Sequence, residues 1–263
     1  MRRRARILWV FSWREFREQY AGSWLGPAWG LFLPIMTVLV YWWVFGVVWD
    51  LRLPEPRGAP GDGLPFIIFL LSALLPWLAF QDGVTKAAGA VVARADVVRH
   101  GAFPVAVFPA ARLLASHWVF FPLVFVFALY QHYGGGYPLT VGAWLALPLL
   151  LALQFAFSLG LSLLLSALSV YVRDISYLLG VITMAMFFTS PILYPLEQVP
   201  ERLRAWMWLN PFTPYAEGYH QVLIEGRWPD PVVWITALVT ALVAMLVGRW
   251  VFNQLRAGFA DVL

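Results

Sequence analysis

The chain has 263 residues, of which 61% are hydrophobic and only 12% are charged. Soluble domains carry about 25% charged and about 45–50% apolar residues, so a single water-facing globule is excluded and a lipid environment is predicted. The net charge of +4 does not indicate nucleic-acid binding, because the basic residues lie between apolar segments rather than in one patch. Cysteine is absent, which excludes disulfides, thiol nucleophiles and thiolate metal sites.

Six apolar segments are long enough to cross a bilayer, for which about 17–25 residues are needed. They are residues 28–49, 64–81, 104–130, 139–169, 176–194 and 231–252. Four prolines lie inside these windows and predict kinks, which neighbouring helices tolerate in membranes. They are Pro34, Pro76, Pro122 and Pro148. The fold class predicted is an all-α integral membrane protein with six transmembrane helices, forming a single domain over residues 1–263.

The basic residues favour one orientation of these spans. Six spans place both termini on one side, together with loops 82–103 and 170–175. Thirteen of the 18 Lys and Arg residues then lie on that side, counting Arg112 at a helix start, and five lie opposite. Basic residues near span ends accumulate in the cytoplasm. Both termini are therefore predicted to be cytoplasmic.

Residues 1–27 are predicted to form a helix that lies in the membrane interface. Four aromatic residues recur at i, i+4, i+7 and i+11 and so share one face. They are Trp9, Trp13, Phe16 and Tyr20. Arg6, Arg14 and Arg17 lie beside that face. An aromatic stripe flanked by arginines is typical of an interfacial helix, and a generic anchor with positive-inside charge is the alternative.

The loop between the second and third predicted spans is longer than a connection requires. Over residues 84–99, four apolar residues share one helical face, and polar residues occupy the other positions. The apolar set is Ala88, Val91, Val92 and Ala95, and the polar set is Lys86, Arg94, Asp96 and Arg99. A short amphipathic helix of this kind either docks into a partner's groove or rests on the membrane surface.

Small polar residues follow one side of the fourth span. They are Gln154, Ser158, Ser162, Ser166 and Ser169. Small hydroxyl residues at this spacing let helices approach closely, and we favour packing over the alternative of a polar route for a hydroxylated substrate.

Residues 195–230 are predicted to lie outside and to contain two re-entrant or interfacial helices. Two half-apolar pieces there are each too short to span, and Pro211 and Pro214 divide them. Four rings are expected at the outer headgroup level, where they would either stack on sugars or form an ordinary aromatic belt. They are Trp206, Trp208, Tyr215 and Tyr219.

Recognisable catalytic chemistry is missing from the sequence. Lys86 is the only lysine and Ala87 follows it, so a phosphate-binding loop cannot form. The four histidines show no metal-ligand spacing. Asp174 lies beside Arg173 in a short turn, where a paired structural charge is favoured over a proton relay. No cofactor, metal or catalytic residue is assigned to this chain.

Three segments, in this order, resemble the ABC-2 family of permeases, specifically the polysaccharide exporters for capsule, O-antigen and teichoic acid. They are WREFREQYAGSWLGPAWGLFLPI from Trp13 to Ile35, ADVVRHGAFPVAVFPAARLLAS from Ala95 to Ser116, and YVRDISYLLGVITMAMFFTSPILYPLEQVP from Tyr171 to Pro200 with LNPFTPY after it. The resemblance covers almost the whole chain. One departure is Val105, where many relatives carry a basic or polar residue.

The resemblance implies a homodimer in the bacterial inner membrane, with a separate ATPase that binds ATP and Mg²⁺ on the cytoplasmic side of each subunit. It implies that residues 84–99 are the coupling helix, that the amino-terminal helix helps to hold the ATPase, and that residues 201–224 shape the outer gate. The expected ATPase contacts are Trp9, Trp13, Arg14, Arg17, Ala88, Val91, Val92, Arg94, Ala95 and Asp96, with the turn Arg173–Asp174. The candidate glycan pathway or gate residues are Trp206, Trp208, Asn210, Tyr215, Tyr219, Ser158 and Ser162.

The predicted function is export of a lipid-linked or lipid-anchored polysaccharide, without a nucleic-acid partner and with periplasmic or outer-membrane partners left open. Export of a small hydrophobic compound or drug is the alternative, which a large external domain or carboxylates in the pathway would favour. A membrane-embedded glycosyltransferase would need clustered acids or histidines at a membrane face, and the sequence has none.

Overall fold

The computed structural model describes residues 2–53, 63–100 and 104–263, with side chains from residue 6 onward. Helices account for most of this part of the chain. They are α1 Arg2–Glu18, α2 Trp29–Tyr41, α3 Phe66–Ala88, α4 Ala95–Arg99, α5 Val107–Tyr133, α6 Val141–Tyr171, α7 Ile175–Thr189, α8 Glu201–Met207, α9 Thr213–Leu223, α10 Pro231–Leu255 and α11 Phe259–Val262. A π-helix, Trp42–Val48, continues α2. Two short strands, β1 Arg52–Leu53 and β2 Leu64–Pro65, form an antiparallel pair that the all-α prediction did not include.

Five stretches of helix in the described residues are long and apolar enough to cross a membrane. They overlap five of the six predicted spans and begin with Gly26–Val48, which includes α2 and the π-helix. The other four are built on α3, α5, α6 and α10. The four prolines predicted to lie in spans are inside α2, α3, α5 and α6. A mostly helical, multi-pass membrane protein is therefore confirmed.

The remaining predicted span, 176–194, is not confirmed, because α7 has only 15 residues. At 1.5 Å per residue it is about 22 Å long, which is short of the ~30 Å hydrocarbon layer. Pro191 explains where it ends. A residue that precedes proline is driven out of the helical region, and Ser190 has an extended backbone with φ −94° and ψ 151°.

Helix α3 lies at the centre of the fold and packs against α5, α6, α7 and α9. Aromatic rings fill the space around it. Trp77 and Phe80 of α3 contact Phe212, which precedes α9, and Phe80 stacks on Phe157 of α6 at a centroid distance of 5.4 Å. Tyr215 of α9 stacks on Phe157 in turn, at 5.3 Å. The short helix α9 is thus part of the core.

Helices α6 and α10 pack closely because each presents glycine or small residues to the other. A Cβ placed on Gly248 would lie 1.9 Å from the backbone oxygen of Gly160, and one on Gly160 would lie 2.3 Å from the carbonyl carbon of Ala244. Contact at this distance requires glycine at both positions. Small residues allow such backbone approach between membrane helices.

The two ends of the bundle are built from different segments. At one end α1 and the carboxyl-terminal residues share a hydrophobic cluster, to which Phe11 and Leu263 both pack. At the other end the Thr140 hydroxyl donates to the Gly226 carbonyl oxygen at 2.6 Å and ties the start of α6 to the segment before α10. The first end is called the α1 end below. Helix α1 and the carboxyl-terminal residues thus lie at the same end of the bundle.

Candidate functional site

The segment predicted as a coupling helix, 84–99, is not one helix. Residues 84–88 are the last turn of α3, Gly89–Val91 form a turn, Val92–Arg94 form a 3-10 turn, and α4 begins at Ala95. Arg94 interrupts helical geometry with φ −122° and ψ 31°. The continuous-helix prediction was therefore wrong.

Because the segment is broken, its predicted apolar face is also split. Ala88 and Val91 are fully buried inside the subunit, whereas Val92 is 39% exposed. The side chains of Val91 and Val98 belong to the hydrophobic cluster at the α1 end. The other buried members are Ala90, Phe108, Leu163, Ala167, Val170, Phe252 and Phe259. This cluster fixes the segment to α5, α6, α10 and α11, so that the residues between Val91 and Val98 project outward.

The outward residues form one exposed surface at the α1 end, which we call the docking patch. It comprises Val92, Ala93, Asp96, Val97, Tyr171, Val172, Arg173 and Asp174. The turn at Val92–Arg94 contacts α6, and Val91 shares a hydrophobic cluster with Val170 near the end of α6, so the two parts are neighbours. Valine side chains on an end of the bundle that carries charged residues are typical of a surface that meets a partner protein.

The predicted pairing of Arg173 with Asp174 is not present. Both side chains are exposed, and neither makes an ion pair with any residue that the structure describes. The two charges are therefore free to meet groups outside the subunit.

Helix α1 packs its aromatic face on α5 rather than lying apart from the bundle. The ring of Trp118 in α5 lies 4.2 Å from Trp9 and 5.9 Å from Trp13 between centroids. Trp9 and Trp13 keep much of their surface exposed. Arg17 sits over the Trp13 ring at 5.7 Å, a cation–π distance. The predicted aromatic stripe is thus partly packed on α5 and partly exposed.

An ion-pair network joins α1 to the docking-patch segment and to α5. The carboxylate of Glu15 accepts from Arg94 Nη2 at 2.8 Å and from Arg112 Nε at 3.1 Å, and Glu18 accepts from Arg94 at 2.7 Å. Hydrogen bonds from Arg14 and Arg94 hold the pKa of Glu18 below its usual value. Arg14 and Arg94, predicted as partner contacts, are therefore engaged within the subunit.

Replacing Glu15 by glutamine is expected to loosen α1. The Glu15 side chain is only 10% exposed, and an amide would remove the counter-charge of Arg112 and one of the two counter-charges of Arg94. Hydrogen bonds to charged groups contribute about 1.5–3 kcal/mol, so a loss of this order in the unfolding free energy is expected. Glu18→Gln is the matched control, since Glu18 is more exposed and the Glu15 link survives. Thermal unfolding of purified protein in mild detergent measures both, and equal melting temperatures for the two variants would refute the network's role.

The two short helices predicted in 195–230 are present as α8 and α9, but two of their rings lie elsewhere than predicted. Tyr215 and Tyr219 are fully buried, not at the headgroup level. The Tyr219 hydroxyl donates to Gln154 Oε1 at 2.6 Å, and the Tyr215 hydroxyl donates to the Ala237 carbonyl oxygen at 2.9 Å. These hydroxyls find partners inside the fold, so the two rings present no surface on which a sugar could stack.

The other residues of this segment divide into structural and exposed ones. Asn210 is buried, and its Nδ2 donates to the Met186 carbonyl oxygen at 2.7 Å and to the Ser190 hydroxyl at 2.8 Å. It thereby caps the end of α7. Trp206 is 69% exposed and Trp208 is half-buried. These two remain the rings that a ligand outside the subunit could reach.

The line of small polar residues on α6 is buried between helices. Ser158 donates to the Gln154 carbonyl oxygen at 2.8 Å, and Gln154 donates to the Pro76 carbonyl oxygen at 2.7 Å. Ser162 is equally buried. Their positions agree with the packing interpretation and give Ser158 and Ser162 no access to a solvent-filled route within one subunit.

Sequence reasoning missed Glu217, a carboxyl group in α9. The residue is partly buried and makes no hydrogen bond or ion pair with the described residues. Burial, together with the carboxylates of Glu197 and Glu225, raises the pKa of Glu217 to about 8. An acid within an otherwise half-apolar helix was the signal that could have found it.

The chain is similar to one transporter family and to several export or transport proteins. The family profile described as "ABC-2 type transporter" matches residues 6–224. An O-antigen export system permease protein RfbA of Klebsiella pneumoniae is 24% identical over 98% of this chain and 95% of its own length. The protein of the same name from Myxococcus xanthus is 29% identical over 94% and 92%. The polysialic acid transport protein KpsM of Escherichia coli is 21% identical over 89% and 88%.

Proposed function

The chain belongs to the ABC-2 type transporter family, and on this basis we propose that it is the permease subunit of an ATP-driven exporter. Its substrate is a lipid-linked or lipid-anchored polysaccharide, which it moves across the bacterial inner membrane. The observation that carries the proposal is the end-to-end similarity to permeases whose names specify O-antigen or polysialic acid. These names favour a glycan over a drug or other small hydrophobic compound. The chain's part in the process is transport rather than catalysis.

The proposed assembly is a homodimer that carries two copies of a separate ATPase. ATP and Mg²⁺ are bound by that ATPase, and the docking patch is the surface that meets it. Two apolar helices support the presence of a second copy, because α7 exposes most of its residues and α2 buries only Gly30 and Pro34. Val181 and Ile182 are among the exposed residues of α7.

Within this assembly, the proposed roles of individual residues follow their exposure. The exposed Val92, Asp96 and turn Arg173–Asp174 contact the ATPase directly, whereas Ala95 is half-buried and lies outside the docking patch. Arg94 acts indirectly, since its guanidinium holds α1 through Glu15 and Glu18. Trp206 and Trp208 are the candidate gate rings, whereas the buried Tyr215 and Tyr219 hold α9 in place.

Deleting the gene is expected to stop surface display of one glycan while its lipid-linked precursor is still made. The precursor should collect where an antibody or glycosidase added to spheroplasts cannot reach it. The purified chain alone should hydrolyse ATP negligibly, and with its ATPase it should form a complex with two copies of each chain by native mass spectrometry. Normal glycan display with increased drug sensitivity in the deletion strain would support the drug exporter instead.

The proposed orientation puts the α1 end in the cytoplasm. Because the chain has no cysteine, single cysteines at Ala93 and at Glu201 can be compared directly, and both positions are exposed. In intact cells an impermeant maleimide should label Glu201→Cys and spare Ala93→Cys. Disrupted cells should label both variants. Labelling of Ala93→Cys from outside would reverse the orientation.

A further inference from the structure

A groove of about 550 Å³ lies between α1, α5 and α6, on the outside of the subunit. Its lining is almost entirely apolar and includes Trp9 of α1, Phe121 of α5 and Phe155 of α6. None of the proposed contacts with the ATPase or with the exported glycan, apart from Trp9, lies in it. Those proposed contacts therefore do not account for the groove.

Two prolines lie in the helices that line this space. Pro122 of α5 and Pro148 of α6 are both inside their helices and both line the groove. A proline within a helix removes one backbone hydrogen bond and bends the helix. Both prolines therefore lie where α5 and α6 border the groove.

The groove has the depth of one membrane leaflet. Its lining residues on α5 run from Leu114 to Phe125, which at 1.5 Å per residue is about 16 Å. The hydrocarbon layer is ~30 Å thick, so this is about half of it. The lining starts close to Arg112, at the α1 end.

Polar atoms at the groove lack partners in the described part of the chain. Trp118 lines the groove, and its buried Nε1–H meets no acceptor among these residues. His117 also lines it and directs Nδ1 to the Leu113 carbonyl oxygen at 2.8 Å, which leaves Nε2 as a buried acceptor without a donor. Tryptophan at the membrane interface commonly meets the ester and headgroup region of lipids. An ester carbonyl oxygen would accept a hydrogen bond from Trp118 Nε1–H, and a lipid hydroxyl would donate one to His117 Nε2.

A positive charge lies one helical turn from the groove residue Trp9. Arg6 precedes Trp9 by three residues and so lies on the same face of α1, one turn away. Arg14, Arg94 and Arg112 are engaged by Glu15 and Glu18, but Arg6 has no ion-pair partner among the described residues. Basic residues on an interfacial helix attract anionic lipid headgroups.

We propose that the groove holds one acyl chain of an anionic, hydroxyl-bearing glycerophospholipid of the phosphatidylglycerol class, drawn from the leaflet at the α1 end. The phosphate lies near Arg6, the ester carbonyl accepts from Trp118 Nε1, and the chain runs along α5 and α6 past the two prolines. The bound lipid wedges α1 against the bundle on the side opposite to the Glu15 network. The site does not depend on which substrate the transporter exports.

Photolabelling of the full-length chain in proteoliposomes tests the proposal. Trace phosphatidylglycerol with a diazirine in its acyl chain should label residues 114–125 and 148–155, as mapped by mass spectrometry. Ala152→Phe, at an exposed position that lines the groove, should lower this labelling about tenfold. Val239→Phe, on the outward face of α10, should leave it unchanged. Arg6→Gln should lower labelling by phosphatidylglycerol about fivefold and leave labelling by phosphatidylcholine of the same chains unchanged.

Four results would each overturn the proposal. The first is labelling spread evenly over the groove and the outward face of α10. The second is equal labelling of the groove by the two phospholipids. The third is competition by a long-chain isoprenyl phosphate but not by unlabelled phosphatidylglycerol, which would make the groove a carrier-lipid site. The fourth is a disulfide between two copies of Ala152→Cys, which would show that a second subunit covers it.

Discussion

Replacing Gly248 by leucine is expected to abolish folding of this permease, and Gly248→Ala is expected to lower the stability of the fold strongly. A Cβ at this position overlaps the backbone oxygen of Gly160, at 1.9 Å, and a backbone atom cannot move aside as a flexible side chain can. The helices α6 and α10 would have to separate along their length. Overpacking of a tight interface costs about 1–3 kcal/mol, occasionally more, and a membrane interface between small residues has no looser arrangement to fall back on.

The measurement is the fraction of purified protein that elutes as one peak in mild detergent, together with its melting temperature. Gly180→Ala is the matched control, because Gly180 lies in α7 and a Cβ there would meet nothing within 4 Å. It should behave as the unmodified chain does. Wild-type elution and melting for Gly248→Ala would show that α6 and α10 do not pack as closely as the structure places them.

The long helices could be predicted from the sequence because each is specified locally, by a long and mostly apolar stretch. The end of α7 shows the limit of that reasoning. The apolar residues after Pro191 extended the predicted span to 194, although the Ser190–Pro191 pair forces extended backbone and ends the helix at Thr189. The Ser190–Pro191 pair could be read from the sequence, but the span was predicted from hydropathy alone.

The burial of Tyr215 and Tyr219 could not be predicted in this way. Both have a hydroxyl group and lie in a helix too short to span, which is typical of the membrane interface. Their partners, Ala237 and Gln154, are contributed by α10 and α6. Only the assembled fold brings these groups together, as it does Gly160 and Gly248. Contacts between distant segments thus decide which predicted site residues are open to a ligand.

Contacts between distant segments also decide which residues of 84–99 are buried and which are exposed. Its alternation of apolar and polar residues predicted one amphipathic helix, but the hydrophobic cluster at the α1 end draws in Val91 and Val98 and turns Val92 and Val97 outward. Both exposed valines belong to the docking patch. Their exposure leaves a coupling role for this segment open. It also makes the exposed Val92, and not the buried Val91, the residue whose substitution tests that role.

Val92→Asp is expected to abolish glycan export while the protein stays in the membrane at normal abundance. Val92 is 39% exposed, so a carboxylate there is solvated in the free subunit and costs little. Docking of the ATPase would bury that carboxylate without a partner, at a cost of several kcal/mol. Since about 1.4 kcal/mol already means a tenfold loss of affinity, co-purification of the ATPase should fall or its activity should lose sensitivity to substrate.

Two matched variants separate this mechanism from simple loss of stability. Val92→Thr keeps the shape without the charge and should export nearly normally. Val91→Asp places its carboxylate in the hydrophobic cluster, where the wild-type side chain is fully buried, and should lower the abundance of the permease itself. Normal export by Val92→Asp, with the ATPase bound as tightly as before, would make the segment a surface anchor. The coupling role would then pass to the neighbouring part of the docking patch, the exposed turn Arg173–Asp174, whose charges pair with none of the described residues.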